Sequence, residues 1–471
     1  MHNNMPPRYK RQVEEYQERI GRLYRDLIKE DSENCCGRSA LTRVATFQVT
    51  DRCNLACTYC YQINKNTRRM SFETAKQFVD LLLSGEKGFN AYVDSDKSPA
   101  IVLEFIGGEP FLELELIQQI LEYFMSECIR LNHPWLTRHR ISICSNGVLV
   151  DKPEVQAFLE KYKKRLSFSI TIDGNKQLHD SCRIFPDGSP SYDIAHKAAE
   201  NWRDKGYYMG SKLTLAPENV QHTYEAIRHM LDLGYEDILV NCAYEEGWMP
   251  IHATTLYYQL KKLADYLIDN DFVDSRYVAM FEEHFFQPMD FGDDKNWCGG
   301  DGMMIACDPD GYIYPCLRFM ESSLGTEVPA FRIGDIYNGL GQNSQHCDNL
   351  NCLNCVSRRA QSTDECYYCP IAEGCAWCTA YNYQVTGTPN KRVTYTCEMH
   401  KARALANAYL WSRWYAKHFP DYKYQVYIPR EWALKIISEE EFDFIINFKN
   451  IEYRKPNKEG EIYVYQDRGR D

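Results

Sequence analysis

The residues best placed to do chemistry in this chain are cysteines, 20 of them in 471 residues. Cys53, Cys57 and Cys60 lie in CNLACTYC, a C-x3-C-x2-C spacing directly after an apolar run. Three thiolates on one short loop can ligate three irons of a [4Fe–4S] cube. The fourth iron is then left without a protein ligand and is free to take a small molecule. The spacing alone also allows a zinc loop completed by a distant fourth ligand, or unligated buried thiols. A second constellation runs from Cys298 to Cys397. Cys298, Gly311 and Cys316 are spaced C-x12-G-x4-C, Cys366, Cys369, Cys375 and Cys378 are spaced C-x2-C-x5-C-x2-C, and Cys397 follows. Cys347, Cys352 and Cys355 (HCDNLNCLNC) lie between these groups and fit neither; metal ligands, a redox dithiol and ordinary thiols are all open for them. Cys spacing alone suits a pair of zinc sites in this region nearly as well as iron–sulfur.

Composition narrows the setting. A secreted disulfide scaffold is short and follows a signal peptide, whereas residues 1–30 are densely charged with no apolar stretch. No run approaches the roughly 18 apolar residues of a membrane span. The expectation is a cytoplasmic protein with reduced thiols, in which clustered cysteines hold metal. Lys and Arg total 54 against 66 Asp and Glu, a formal net charge of −12, which argues against nucleic acid or a membrane surface as partner.

The elements that must position these thiols follow a regular rhythm. Strand-like runs at 45–50, 101–106, 141–144, 166–172, 213–215 and 238–241 alternate with helix-period stretches at 72–83, 114–129, 154–164, 194–204 and 223–233. Such alternation predicts an α/β fold with a parallel sheet, and six units predict part of a (β/α) barrel. Chemistry in such folds sits at the carboxyl ends of the strands, where CNLACTYC falls. The expected organisation is an N-terminal helical segment and linker over 1–44, the barrel core over 45–250, and a helical connection over 251–297. A Cys-rich domain over 298–420 that needs metal to hold together comes next, then a tail over 421–471. Tyr16, Ile20, Leu23, Tyr24 and Leu27 predict one apolar stripe on the N-terminal helix.

With these residues in view, TDRCNLACTYCY resembles the cluster loop of radical S-adenosylmethionine (radical SAM) enzymes, and the strand pattern resembles their partial (β/α)6 TIM-like barrel. The resemblance implies that Cys53, Cys57 and Cys60 hold a [4Fe–4S] cluster whose open iron takes the amino and carboxylate groups of S-adenosyl-L-methionine (SAM). It implies that SAM is cleaved to a 5′-deoxyadenosyl radical, and that Tyr59 packs near the adenine. IGGEP looks like the family's second-strand motif, so Gly107 and Gly108 allow close backbone approach and Glu109 binds the SAM ammonium. CSNG, with Ser145 and Asn146, is similar to the third-strand loop. TIDG, followed by His179, Asp180 and Arg183, resembles the fourth-strand motif. Thr171 then takes the ribose position, Asp173 lies in the cofactor site, and Arg183 meets the SAM carboxylate, a pairing suited to bidentate contact. A surface salt bridge is the alternative for Arg183.

The C-terminal cysteines are similar to the SPASM domain of the same enzymes, which carries two auxiliary [4Fe–4S] clusters. Carried over by position, Cys366, Cys369, Cys375 and Cys397 ligate one, and Cys298, Cys316 and Cys378 serve the other. The family variant usually has three residues before its last quartet Cys, and this chain has two. The stretch DFGDDKNW lacks a further Cys found there in some members. That leaves an open iron, or recruits Cys307 or one of Cys347, Cys352 and Cys355.

Enzymes of this kind mainly modify peptides, with electrons from a flavodoxin or ferredoxin. Anaerobic sulfatase-maturing enzymes carry a catalytic Asp after the YPC cysteine; here Leu317 follows Cys316, and Leu cannot act as a base. A substrate thiolate on an open iron needs none, because the metal deprotonates it. The sequence therefore points to thioether formation in a ribosomally made, Cys-rich precursor peptide. CGGDGMMIACDPDGYIYPCLRFMESS and STDECYYCPIAEGCAWCTAYNYQ resemble maturases of Cys-repeat peptides. Sulfatase maturation, another crosslink or epimerisation, and a non-catalytic iron–sulfur or zinc scaffold are the competing readings.

Overall fold

A computed structural model describes residues 43–454, apart from 99, 208–209, 246, 284 and 290–297. The N-terminal stripe and DFGDDKNW lie outside the described residues.

The predicted rhythm is present. Strands β1 (Val44–Thr50), β2 (Ile101–Gly107), β3 (His139–Ser145) and β4 (Leu166–Ile170) pair in parallel in sequence order. Helices α1 (Phe72–Ser84), α2 (Leu114–Arg130) and α3 (Pro153–Tyr162) separate them. β3 alternates buried and more exposed residues, whereas β1 is buried from Ala45 to Thr50, as a strand covered on both faces must be. Phe47 stacks on Phe105 of the next strand at 5.4 Å and meets Phe78 of α1 edge-on at 4.9 Å. Ser71 starts α1 by accepting the Thr74 N–H at 3.0 Å, the usual service of an N-cap serine.

The ladder stops after β4. Strands β5 (Gly210–Leu215), β6 (Asp237–Cys242) and β7 (Tyr277–Val278) form a second parallel sheet, with α4 (Lys176–Cys182), α5 (Tyr192–Asp204) and α6 (Thr223–Asp232) in the connections. A side chain spans the gap. The Ser211 hydroxyl donates to the Ile170 carbonyl at 2.9 Å and accepts the Ile172 N–H at 3.2 Å.

On the other flank the Cys-rich region enters the barrel sheet directly. Strand β8 (Met304–Cys307) pairs in parallel with β1, bringing Phe47 beside Cys307. Strands β9 (Tyr312–Tyr314), β10 (Gly334–Asp335) and β11 (Gly339–Leu340) extend the sheet to eight strands. Helix α7 (Pro250–Asp269) lies against the long helix Cys397–His418, where Tyr409 donates to Asp265 at 2.9 Å. One hydrophobic core runs through both regions. Among the described residues no helix is long and apolar enough to cross a membrane.

Arg68 fastens the β8–β9 turn to the end of β1, contacting Asp51 at 2.7 Å and Asp310 at 2.8 Å with Asp308 at 3.8 Å. Burial pushes the Asp308 carboxyl up to about 6, against the Tyr312 N–H and Arg68. A carboxyl raised above its unfolded value binds its proton more readily when folded, so stability falls as pH rises from about 4 to 6. A shift of that size corresponds to about 3 kcal/mol. Asp308→Asn should flatten this part of the profile, read by urea unfolding at pH 4.5 and 7.

Candidate functional site

The cysteine loop is held on both sides by backbone. Ala56 and Thr58 N–H groups donate to the Ile184 and Cys182 carbonyls at 2.7 and 2.9 Å, just beyond α4. Gly108 and Glu109 N–H groups donate to Thr50 and Arg52 at 3.1 and 3.0 Å. Burial raises the Cys53 thiol, opposed by the Leu55 N–H and the Lys65 ammonium; it raises Cys57 too, opposed first by Arg183. Lys65 loses solvation here, yet Cys60, Cys53 and Cys57 raise its pKa. No motif marks this lysine in the sequence.

Gly108 shows how closely the motifs are fitted. A Cβ there would lie 2.4 Å from the Arg52 carbonyl oxygen and 2.6 Å from Cys53 Cβ. Backbone hydrogen bonds keep both neighbours from yielding. Gly108→Ala should therefore displace Cys53, costing about 1–3 kcal/mol of stability, and lower the iron content while leaving the C-terminal cysteines undisturbed. Colorimetric iron analysis of the reconstituted protein checks this.

Glu109 is 1% exposed and accepts from Phe111 N (3.2 Å), Ser145 Oγ (2.9 Å) and Asn146 N (2.9 Å). These bonds tie the loops after β2 and β3 together and leave one carboxylate lone pair uncommitted. Asn146 Nδ2 reaches Asn54 Oδ1 at 2.7 Å and Cys53 Sγ at 3.8 Å. Thr171 lines one cavity with Glu109 and Asn146 and lies 3.3 Å from Cys144 Sγ.

Tyr59, Asp173 and Arg183 meet in one buried cluster. Tyr59 donates to Asp173, and Arg183 Nη1 donates to Tyr59 OH at 2.6 Å and stands 4.0 Å from Asp173. Arg183 is buried, so the surface-bridge alternative does not describe it. Asp173 Oδ1 and Arg183 Nε, an acceptor and a donor, are buried with no partner. His179 supports the loop from behind. Its Nδ1 accepts the Asp173 N–H at 3.3 Å and its Nε2 meets Ser191 Oγ at 3.0 Å. Burial pushes it down to about 3, so it is neutral. Asp180 caps α5 by accepting the Ser191 and Tyr192 N–H groups at 3.1 and 2.9 Å.

The cysteine loop opens on a cavity of about 1620 Å³ that also reaches Cys298, Cys316 and Cys378. Burial raises Cys316, and Cys298 and Cys378 raise it further; Cys378 is pushed up to about 11 by burial and Cys298. Tyr61 and Arg318 lie between the two thiol groups. The guanidinium sits 5.2 Å from the Tyr61 ring centre and pairs with Glu245 at 2.8 Å. Cys366, Cys369, Cys375 and Cys397 form a third group. Burial takes Cys369 to about 12, with Cys375, Cys397 and Cys366 adding to it. Among the described residues no three His, Cys, Asp or Glu side chains are placed to hold one metal ion. A cube imposes a different spacing, since each thiolate binds its own iron.

The remaining thiols are elsewhere. Cys307 is buried in the core, its thiol 3.5 Å from the Asp308 carbonyl. Cys347 and Cys352 lie on helix Ser344–Asn354, which ends at Cys355; Cys347 donates to Gly341 O at 2.9 Å.

A family model of the radical SAM superfamily matches residues 47–231. The uncharacterised protein MJ0907 of Methanocaldococcus jannaschii is 29% identical over 192 residues, 41% of this chain and 59% of that protein. The antilisterial bacteriocin subtilosin biosynthesis protein AlbA of Bacillus subtilis is 24% identical over 290 residues, 60% of this chain and 56% of AlbA. The chain thus spans less than two thirds of the length of either. The mycofactocin maturase MftC of Mycolicibacterium smegmatis is 24% identical over 362 residues, 73% of this chain and 79% of MftC. Among solved structures, native anSMEcpe with bound AdoMet shares the fold with a TM-score of 0.56 at 17% identity, covering 79% of this chain and 98% of that one. SuiB of Streptococcus suis, bound to its precursor peptide SuiA, has a TM-score of 0.50 at 13% identity, covering 83% and 82%.

Proposed function

We propose that this enzyme, whose residues 47–231 are a radical SAM domain, joins a cysteine sulfur to a carbon of a ribosomally made peptide. One observation carries the reading: a single cavity is lined both by Cys53, Cys57 and Cys60 and by Cys298, Cys316 and Cys378. The relatives named as maturation or biosynthesis proteins support a peptide as the occupant.

The residues fit the groups the family requires. Cys53, Cys57 and Cys60 would hold a [4Fe–4S] cluster. The unpartnered Arg183 Nε suits the SAM carboxylate, and the spare lone pair of Glu109 suits its ammonium. Bound together, cluster and SAM supply the 5′-deoxyadenosyl radical that takes a substrate hydrogen atom. Tyr59 and Asp173 hold Arg183 in place, Thr171 offers a hydroxyl to the ribose, and Lys65 counters the negative charge of the thiolates. Cys298, Cys316 and Cys378 would hold an auxiliary cluster able to bind a substrate thiol. Cys366, Cys369, Cys375 and Cys397 close the shell of a second. A flavodoxin or ferredoxin is the electron donor, and the setting is cytoplasmic.

Each crosslink removes two hydrogens from the peptide, one from carbon and one from sulfur. The test pairs the reconstituted enzyme with a Cys-rich peptide encoded beside its gene. Loss of two mass units per crosslink, with matching loss of alkylatable thiol, is expected. Formylglycine on a sulfatase peptide, or inverted stereochemistry without mass change, would overturn the thioether assignment.

A further inference from the structure

A closed parallel barrel packs its lumen with bulky branched side chains. Here Ser142 on β3, Ser167 and Ser169 on β4, Lys212 and Thr214 on β5, and Asn241 on β6 line the cavity instead. The registers set Ser142 beside Ser167 and Thr214 beside Asn241. Side chains this short leave the lumen open. Ser167, Lys212 and Asn241 are exposed within it, and Leu239, the register partner of Lys212, is 49% exposed.

Lys212 carries the charge on this wall. Ser211 and Leu213 on either side of it are buried, which turns Lys212 toward the cavity. The Ser211 hydroxyl bonds Ile170 and Ile172, the residues flanking Thr171, so Lys212 enters the lumen close to Thr171. Among the described residues its ammonium makes no hydrogen bond or ion pair. Arg183 and Arg318, on the same cavity, have acid partners: Asp173 at 4.0 Å and Glu245 at 2.8 Å. Glu104 on β2 is held instead by the Thr46 hydroxyl at 2.6 Å. Burial raises the Glu104 carboxyl, and Thr46 and then Lys212 oppose that rise. A lysine ammonium is a compact cation with three N–H donors. Inside a cavity it attracts an anionic oxygen more strongly than in open water.

We propose that Lys212 binds a carboxylate of the peptide substrate, so that the group drawn into the lumen is an acidic side chain or the peptide's C-terminus. This rests on the reading that the cavity takes a peptide. The hydroxyls of Ser142, Ser167, Ser169 and Thr214 leave both room and donors for such a group. An apolar side chain in the same place would strip water from the ammonium and return nothing, which is costly. Lys212 therefore selects among peptides by charge.

The test uses the reconstituted full chain as wild type, K212Q and K212E, with iron counted in each. The probe is the fluorescently labelled Cys-rich peptide encoded beside the gene, titrated with SAM present and read by anisotropy. Its variants replace each Asp or Glu in turn by the amide or by Lys, or amidate the C-terminus. K212Q should weaken the parent peptide at least about tenfold, as loss of a hydrogen bond between charged groups does. One acid-to-amide change, or the C-terminal amide, should cost the wild type as much and cost K212Q nothing more. Which change it is identifies the source of the carboxylate. For a side chain, K212E should recover binding of the peptide with Lys in its place. Undiminished binding by K212Q with full iron overturns the proposal, as do losses that add instead of overlapping. Weaker SAM binding by K212Q without peptide overturns it too, by assigning Lys212 to the SAM carboxylate. Should K212Q lose iron, K212M, which keeps the aliphatic stem, takes its place in the same cycle. Peptide bound through Lys212 without loss of two mass units refutes the thioether reading and leaves this one standing. A wild type that binds none of these peptides refutes both.

Discussion

With Cys53, Cys57 and Cys60 replaced together by Ala, reductive incubation with SAM should yield no detectable 5′-deoxyadenosine by liquid chromatography, whereas the wild type produces it. The three thiols come from one loop pinned at Ala56, Thr58, Gly108 and Glu109 by backbone hydrogen bonds, none of which uses a cysteine side chain. Their removal therefore takes away the ligands and leaves the scaffold. Each thiol is only partly buried, so the change should leave the thermal midpoint near its original value. Iron bound by the C-terminal cysteines should persist. Nucleoside formation by the triple variant would refute the assignment of this loop and favour a non-catalytic scaffold.

Arg183→Met should have the second large effect. It leaves the Asp173 carboxylate, 3% exposed, with a phenol and a thiol as its side-chain hydrogen-bond partners among the described residues. Removing one partner of a buried ion pair costs about 3–5 kcal/mol. Burial already raises the Asp173 carboxyl, and Arg183 is the first group opposing that rise. Without it the pKa climbs further. The folded state then holds its proton more tightly than the unfolded chain, so the variant loses stability as pH rises. The deficit should be smaller at pH 5 than at pH 8 in urea titrations, and Asp173→Asn added to Arg183→Met should recover most of it. A pH-independent deficit would mean that Arg183 acts by packing alone. SAM binding should weaken in both variants, because both lose the unpartnered Nε.

Much of the barrel was legible in the sequence because its signals are local. All six strands and five of the six helices between them lie within a few residues of their periodic patterns, the short helix Lys176–Cys182 being the one not read, and Gly108 and Glu109 fall where their motif places them. What was not legible depends on partners distant in the chain. Met304–Cys307 is too short to read as a strand; only its ladder with β1 makes it one. Ser211 is a small polar residue until its hydroxyl is seen spanning the gap beside Ile170. Helix Cys397–His418 buries residues around its whole circumference, so its sequence has no polar face to set a period. Lys65 belongs to no motif. Arg392 and Trp377 are distant in the chain, yet the guanidinium lies over the Trp377 ring at 3.5 Å and both bond Gln361.

The pairing of β1 with β8 also governs the order in which the molecule can assemble. The first barrel strand to leave the ribosome has its β8-facing edge uncovered until Met304–Cys307 has been made. Until then that edge is a template for pairing with other chains. Contacts this remote in sequence are slow to form. Ending the chain before the β8–β9 hairpin should therefore yield aggregates rather than a smaller working enzyme.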